Sequence, residues 1–416
     1  MTTPRSIRVD ADLLIPGKGE PIADGVLISE GDRIVYAGPR SSAPATPELE
    51  AIHVPVVMPG LWECHGHLIG LPPGNSFDLA KSATEPTAVR AARCVRDIHA
   101  ALDAGVTSIR DVGGLGIHLA KAVDEGTLRG PAIYGAGAVL STTGGHGDLH
   151  GLPLPWVTDY GHSGGDFRQC DGPAECAKAV REQLRKNAKL IKVCASGGVL
   201  SEVDHPIHQQ FTAEELRTIV EIAGMADRAV AAHCHGKPGI MAAIEAGVRT
   251  IEHGTFLDEE SCAAMRETGT ILVPTRLVVH NLLNTPALPP FIRDTTMRIA
   301  DRHAEAIALA HSSGVRLAMG TDTALSTPGA GGAWGGNAGE LPLLVGLGLS
   351  PLEAIEAATA TGPATLGPQA PRSGVLTIGY DADFIAVAGN PVTDISVLAD
   401  PSRITGVWKS GTRVKG

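Results

Sequence analysis

The sequence predicts an α/β protein: a parallel (β/α)8 TIM barrel with a small β-sandwich domain built from both chain ends. Three observations predict it. Short apolar runs alternate with helix-like stretches through the middle. Both ends share a texture of short alternating runs broken by turn residues. Side chains of metal-ligand type fall where the barrel runs stop. A chain of 416 residues suits one large barrel with an appendage. Apolar residues make up 43% and charged residues 19%, which supports a substantial core and argues against disorder.

From the N-terminus, residues 6–58 give runs such as Gly25-Val26-Leu27-Ile28 and Arg33-Ile34-Val35-Tyr36, separated by Gly, Asp and Pro turns. These are strand and hairpin signals. The barrel strands are expected at Val56–Met58, Val106–Arg110, Ala132–Gly135, Leu190–Cys194, Ala229–Ala232, Thr250–Glu252, Ile271–Val273 and Val315–Met319. Helical spacing fills the gaps at Pro86–Ala104, Pro173–Asn187, Ala213–Asp227, Pro238–Ala246, Glu259–Glu267 and Asp294–Ser312. Strands and helices in this alternation build a barrel. A doubly wound open sheet would carry a Gly-rich phosphate loop after its first strand, and here Pro59-Gly60-Leu61-Trp62-Glu63-Cys64-His65-Gly66-His67 stands instead. The strand texture returns at Gly374-Val375-Leu376, Asp383–Val387, Ile404–Trp408 and Gly411-Thr412. The expected division is residues 1–58 plus 366–416 for the discontinuous sheet domain and 59–365 for the barrel.

Composition excludes several functions. Acids outnumber bases 45 to 34, for a net charge of −11, against the basic surface a nucleic-acid binder needs. Aromatics are only 3%, too few for stacking platforms. Seven scattered cysteines without a CxxC pair argue against a disulfide framework or a Cys-rich zinc site. The first twenty residues hold no signal-like apolar core, and Leu341–Leu349 is interrupted by Pro342 and two glycines, short of a membrane span. The expectation is a cytoplasmic protein acting on a small molecule. A homo-oligomer is plausible for such barrels, with no residue that argues for it.

The chemistry sits at predicted strand ends, the face where barrels build active sites. His65 and His67 follow the first strand, and residues two apart in extended chain point the same way, so both can reach one metal ion; a pair of exposed loop histidines is the plainer reading. Lys192 lies inside Leu190-Ile191-Lys192-Val193-Cys194, a strand buried on both faces. An ammonium there is costly unless paired or neutralised. It either joins a buried ion pair, snorkels to the rim, or reacts with CO2 to give a carbamate able to bridge two cations. His233 and His235 close the fifth strand, His253 the sixth and Asp322 the eighth. Each alone could be a satisfied interior group; together they point to a metal site. His146, in Ser141-Thr142-Thr143-Gly144-Gly145-His146-Gly147-Asp148, reads as a substrate or oxyanion contact or as a loop histidine. The stretch from Gly147 to Gly172 shows little periodicity and reads as a functional lid. The small residues of Gly329–Gly339 suggest a roomy mouth after the eighth strand, with Trp334 as its large apolar substrate contact.

With these residues in order, the sequence resembles the amidohydrolase superfamily. MPGLWECHGHL, STTGGHGD, KLIKVCASGG, AAHCHG, TIEHG and MGTD are similar to its imidazolonepropionase-related branch, which holds Xaa-Pro dipeptidases, N-acyl-amino-acid hydrolases and ochratoxin-degrading amidohydrolases. The resemblance implies that His65, His67 and Asp322 bind a buried ion, His233 and His253 a more exposed one, and carboxylated Lys192 both. It sets His233 over His235 as the ligand, which alternation leaves open, and puts His235 where the family often places a substrate-contacting Tyr. Glu63 and Gly66 depart from the commoner Asp-Cys-His-Thr-His wording.

The implied activity is hydrolysis of an amide bond, in an N-acyl amino acid, an Xaa-Pro dipeptide or an ochratoxin-like aryl amide. Two divalent ions with N/O ligands suit zinc, with cobalt or manganese also compatible. The ions would acidify a water for attack, Asp322 would move its proton to the leaving amine, and His146 and His235 would hydrogen-bond the oxyanion or a substrate carboxylate. Competing expectations are a lactone, carbamate or ester hydrolase on the same centre, or a mononuclear deaminase, which would not need Lys192.

Overall fold

In a computed structural model of the chain, residues 6–72, 79–201, 203–285, 288–326 and 332–416 are described. Four strands open it: β1 (Ile7–Leu14), β2 (Ile22–Glu30), β3 (Arg33–Pro39) and β4 (Ala51–Pro59). Then come β5 (Leu61–Gly66), β6 (Val106–Asp111), β7 (Ala132–Gly135), β8 (Val139–Ser141) and β9 (Phe167–Gln169). They are followed by β10 (Leu190–Cys194), β11 (Ala229–Cys234), β12 (Thr250–His253) and β13 (Ile271–Val273). The helices among and after them are α1 (Lys81–Thr84), α2 (Thr87–Asp103), α3 (Gly116–Asp124), α4 (Leu154–His162), α5 (Gly172–Arg185) and α6 (Ala213–Gly224). The series continues with α7 (Lys237–Ala246), α8 (Glu259–Thr268), α9 (Arg276–Leu283), α10 (Pro290–Ser312), α11 (Glu340–Gly346) and α12 (Pro351–Ala358). Strands β14 (Phe384–Val387), β15 (Ile404–Lys409) and β16 (Thr412–Lys415) end the chain.

The two ends join, as expected, in one seven-stranded sheet of order β16-β15-β14-β4-β1-β2-β3. Its strands share a core that includes Val9, Leu27, Ile34, Val57, Phe384 and Trp408. Strands from both halves of the ladder meet in that core, so the sheet folds over it.

The middle is the predicted α/β barrel. Parallel ladders run β5-β6-β7 and β13-β12-β11-β10-β8-β9. The third barrel strand is split: β7 pairs with β6 and β8 with β10, with Ala136–Ala138 between them. Gly137, at φ +82°, makes the break. The eighth is an extended segment. Leu272 N–H donates to Arg316 O at 2.9 Å, Cys64 N–H to Met319 O at 2.9 Å and His67 N–H to Thr323 O at 2.8 Å, which closes the ring.

Local sequence sets the helix ends. Thr212 and Glu215 form a capping box on α6, and Asp258 with Ser261 one on α8. The left-handed glycines Gly247 and Gly269 stop α7 and α8. Behind β10–β13, residues such as Ile191, Val193, Ile219, Ile240, Ile251 and Leu272 pack strands against helices. Among the described residues no helix is long and apolar enough to cross a membrane.

Three expectations are corrected. Val56–Met58 belongs to β4 of the terminal sheet, and the first barrel strand is β5; the chain turns at Pro59-Gly60 from one apolar run into the next. Gly374–Leu376 is not a strand, although Leu376 N–H reaches Pro16 O. The stretch from Gly147 to Gly172 is not an aperiodic lid, since it holds α4, with Val157 and Gly161 buried, and β9.

One buried carboxyl carries a stability prediction. Glu340 accepts the backbone N–H groups of Arg276 (2.8 Å) and Leu277 (2.5 Å) at the start of α9. Burial outweighs these bonds and lifts its pKa to about 8. The unfolded chain releases this proton near pH ~4.3, so between there and about 8 the folded state binds more protons and stability falls as pH rises. Glu340→Gln has no proton to lose. Urea unfolding from pH 5 to 8 is expected to show wild type losing stability relative to the variant as pH rises. A difference that stays flat across that window refutes the assignment.

Candidate active site

At the C-terminal mouth of the barrel the strand-end side chains converge. His65 ends β5 one residue early and His67 follows it; Lys192 is central in β10; His233 lies in β11 with His235 just beyond; His253 ends β12; Asp322 lies in the eighth segment. His253 and Asp322 adopt left-handed backbone, at φ +69° and +58°, a strain that non-glycine residues carry at functional sites.

Ligand-type atoms of His65, His253 and Asp322 lie within 4.8 Å of one another, and those of His233, His235 and His253 do likewise. His253 belongs to both groups. Asp322 Oδ1 is 3.3 Å from His67 Nε2 and 3.6 Å from His65 Nε2. Burial opposes its charge, but the His67 hydrogen bond, with His65, His67 and Lys192 nearby, holds it at about 2. Burial lowers His65 to about 4 and keeps His233, His235 and His253 well below the ordinary imidazole value. These rings are therefore neutral at pH 7, the form that binds metals. Lys192 is 2% exposed, and its Nζ has no hydrogen-bond partner. Burial pushes its pKa down. His67 goes the other way: burial opposes its charge, but the hydrogen bond to Asp322 raises its pKa. The orphaned lysine nitrogen, with imidazole and carboxylate donors around it, fits divalent cations.

Each ring has a second anchor. His65 Nδ1 meets Glu252 Oε2 at 2.6 Å, His67 Nδ1 meets Gly113 O at 2.9 Å, and His253 Nδ1 meets Thr275 Oγ1 at 2.7 Å. His235 Nδ1 meets Thr255 Oγ1 at 2.7 Å, and His233 Nε2 meets Gly197 O at 3.2 Å. His303, on α10, reaches the carbonyl oxygens of His253 (3.2 Å) and Pro274 (2.9 Å), tying two strand ends together. Glu63 binds the backbone N–H and hydroxyl of Thr321, Asn337 Nδ2 and the His65 N–H. It thereby locks the His65 strand to the segment bearing Asp322. Burial raises its pKa.

A cavity with two arms opens on this cluster, and His146, His233, His253 and Asp322 line both. Ile69, Leu71, Leu79, Val139 and Phe167 wall one arm, along with Lys192. Val199, Leu200, Val279, Leu282 and Ile299 wall the other, with His235. Lys192 is the one Lys or Arg among the described residues that line it. His146 stacks on His233 with centroids 4.3 Å apart, its Nδ1 2.6 Å from Ser201 Oγ.

Trp334 is corrected. It does not line either arm; it is 6% exposed and packs in the core with Met319 and Leu341. A Cβ on Gly66 would come within 2.4 Å of its ring, which accounts for the glycine between the two histidines. Of the expected roomy mouth, residues 329–331 lie outside the described residues. Sequence reasoning missed Arg110, Glu252, Thr255, Thr275 and His303. Arg110 and Glu252 carried a usable signal, since both are charges inside buried parallel strands.

The Amidohydrolase family model matches residues 56–414. Ochratoxinase from Aspergillus niger is 43% identical over 421 residues, spanning 98% of this chain and 86% of that protein. A crystal structure of A. niger ochratoxinase superposes with a TM-score of 0.92 at 42% identity, covering 99% of this chain and 96% of the other. A prolidase complexed with N-methylphosphonate-L-proline gives a TM-score of 0.89 at 32% identity, with 99% of each chain covered.

Proposed function

The chain belongs to the amidohydrolase family, and from that premise we propose that it hydrolyses carboxamide bonds at a two-metal centre. One observation carries the reading: His65, His67, His233, His253 and Asp322, from four strand ends, line one cavity arm with a buried lysine nitrogen that has no hydrogen-bond partner. His65, His67 and Asp322 would hold one ion, His233 and His253 the other, and Lys192 as its carbamate both. Zinc suits this donor set, with cobalt or manganese as alternatives. Bound there, the ions would polarise the substrate carbonyl and acidify a water.

The chain's own residues supply the rest. Asp322, ionised by its neighbours, takes the proton of the attacking water and returns it to the leaving nitrogen. His233 lines both arms, whereas His235 lines only the second, which supports His233 as the ligand and His235 as a substrate contact. The tautomer in which the Thr255 and Ser201 hydroxyls donate to Nδ1 would put the proton of His235 and of His146 on Nε2. Both can then donate to an oxyanion or a substrate carboxylate. The apolar arms favour a substrate with an apolar group on each side of the amide, which ranks an ochratoxin-like aryl amide of an apolar amino acid above Xaa-Pro dipeptides. We also propose the domain division at 58/59 and 365/366, and a cytoplasmic setting.

The test is a hydrolysis screen of aryl amides of amino acids, N-acyl amino acids and Xaa-Pro dipeptides, with esters, lactones and carbamates in parallel, zinc and bicarbonate supplied. The expected result is amide turnover, fastest for aryl amides, at about two ions per chain. Turnover confined to lactones or carbamates, or full activity at one ion per chain, refutes the reading.

A further inference from the structure

Beneath the proposed ligands lies a buried chain of charge that is not itself part of the ligand set. Arg110, on β6, and Glu252, on β12, are both 0% exposed. Arg110 NH2 donates to both oxygens of Glu252, at 2.7 and 2.8 Å. Its NH1 donates to Thr250 Oγ1 at 3.0 Å, and its Nε to Cys64 O. The guanidinium is thus fixed on three sides, and it fixes the carboxylate. Glu252 Oε2 then meets His65 Nδ1 at 2.6 Å.

We propose that Glu252, clamped by Arg110, is a positioning residue that sets the tautomer and ring angle of His65. An ionised carboxylate can only accept, so the proton of His65 sits on Nδ1. Nε2 is left with its lone pair, on the side of the ring that faces Asp322 Oδ1 at 3.6 Å. The other tautomer would aim a lone pair at the carboxylate and an N–H at the ligand cluster. An outer carboxylate of this kind raises the donor strength of an imidazole, and its loss costs about 10–100-fold in metal affinity. A purely structural Arg110–Glu252 pair would not need His65 in line.

The inference rests on the two-metal reading, and the experiment separates the two. Zinc affinity of the full chain is measured by competition with a chromophoric chelator after the ions are stripped, alongside thermal unfolding. Wild type without zinc affinity defeats the two-metal reading. Given wild-type binding, Glu252→Gln is expected to bind zinc about 10–100-fold more weakly. A variant that loses stability but keeps zinc affinity within about twofold overturns the positioning role. Glu252→Gln leaves Arg110 unpaired and can fail to fold, so Arg110→Met/Glu252→Gln, with no lone buried charge, is measured too; the same weakening is expected and the same constancy overturns it. In zinc-free wild type labelled with 15N-histidine, the proton of His65 is expected on Nδ1, and a proton on Nε2 overturns the proposal without any variant.

Discussion

Asp322→Asn is expected to lower kcat by about 10²–10⁴, the range that general acid–base catalysis supplies, while the protein still folds. The substitution disturbs the backbone little. Asp322 sits at φ +58°, and asparagine is among the few non-glycine residues that tolerate left-handed backbone, so the segment keeps its path. The amide is close in size to the carboxylate. Its oxygen can still face His65 and His67, but it cannot hold a proton between two steps. In the wild type that carboxyl is held ionised, and so free to accept a proton, because burial is outweighed by the His67 hydrogen bond and the neighbouring charges. Steady-state kinetics paired with metal analysis checks the role. Unchanged kcat at full metal content refutes it. Loss of the ion it would share with His65 and His67 would mean that the drop comes from its ligand role, and raising the zinc concentration would then repair it.

Much of this site was legible because a parallel barrel makes position informative. A strand end at the C-terminal mouth is a place, so His65, His233, His253 and Asp322 could be gathered from distant sequence by type and location alone. Lys192 was legible for a different reason: a charge inside a strand buried on both faces demands an explanation. The same argument applied to Arg110 and Glu252 would have found a complementary pair, but pairing across β6 and β12 depends on register around the ring, which no single strand reveals. Val56–Met58 misled because two apolar β runs abut at Pro59-Gly60, and only hydrogen bonding tells which sheet each joins. Trp334 misled because a large aromatic among glycines looks like a mouth residue, whereas the glycine that matters to it, Gly66, comes from the opposite end of the barrel sequence.

Lys192→Met is expected to make the ion-free protein more stable and the enzyme nearly inert. In the free protein the Lys192 amine lies at 2% exposure with no acceptor. An unsatisfied buried donor costs about 1–3 kcal/mol, and methionine fills the same volume without it. Ion-free Lys192→Met should therefore unfold at higher urea than ion-free wild type. Burial also favours the uncharged amine, the form that adds to CO2, giving a carbamate and a released proton. Methionine cannot make that adduct. Zinc content is expected to fall from about two ions per chain to one or none, and kcat by about 10³-fold or more, since a catalytic ion supplies several kcal/mol at the transition state. Opposite signs for stability and for metal content are the diagnostic outcome. A Lys192 that stays charged and only offsets the nearby Glu252 and Asp322 carboxylates would instead lower stability when removed, with metal content intact. Urea unfolding and metal analysis on one preparation decide between the two.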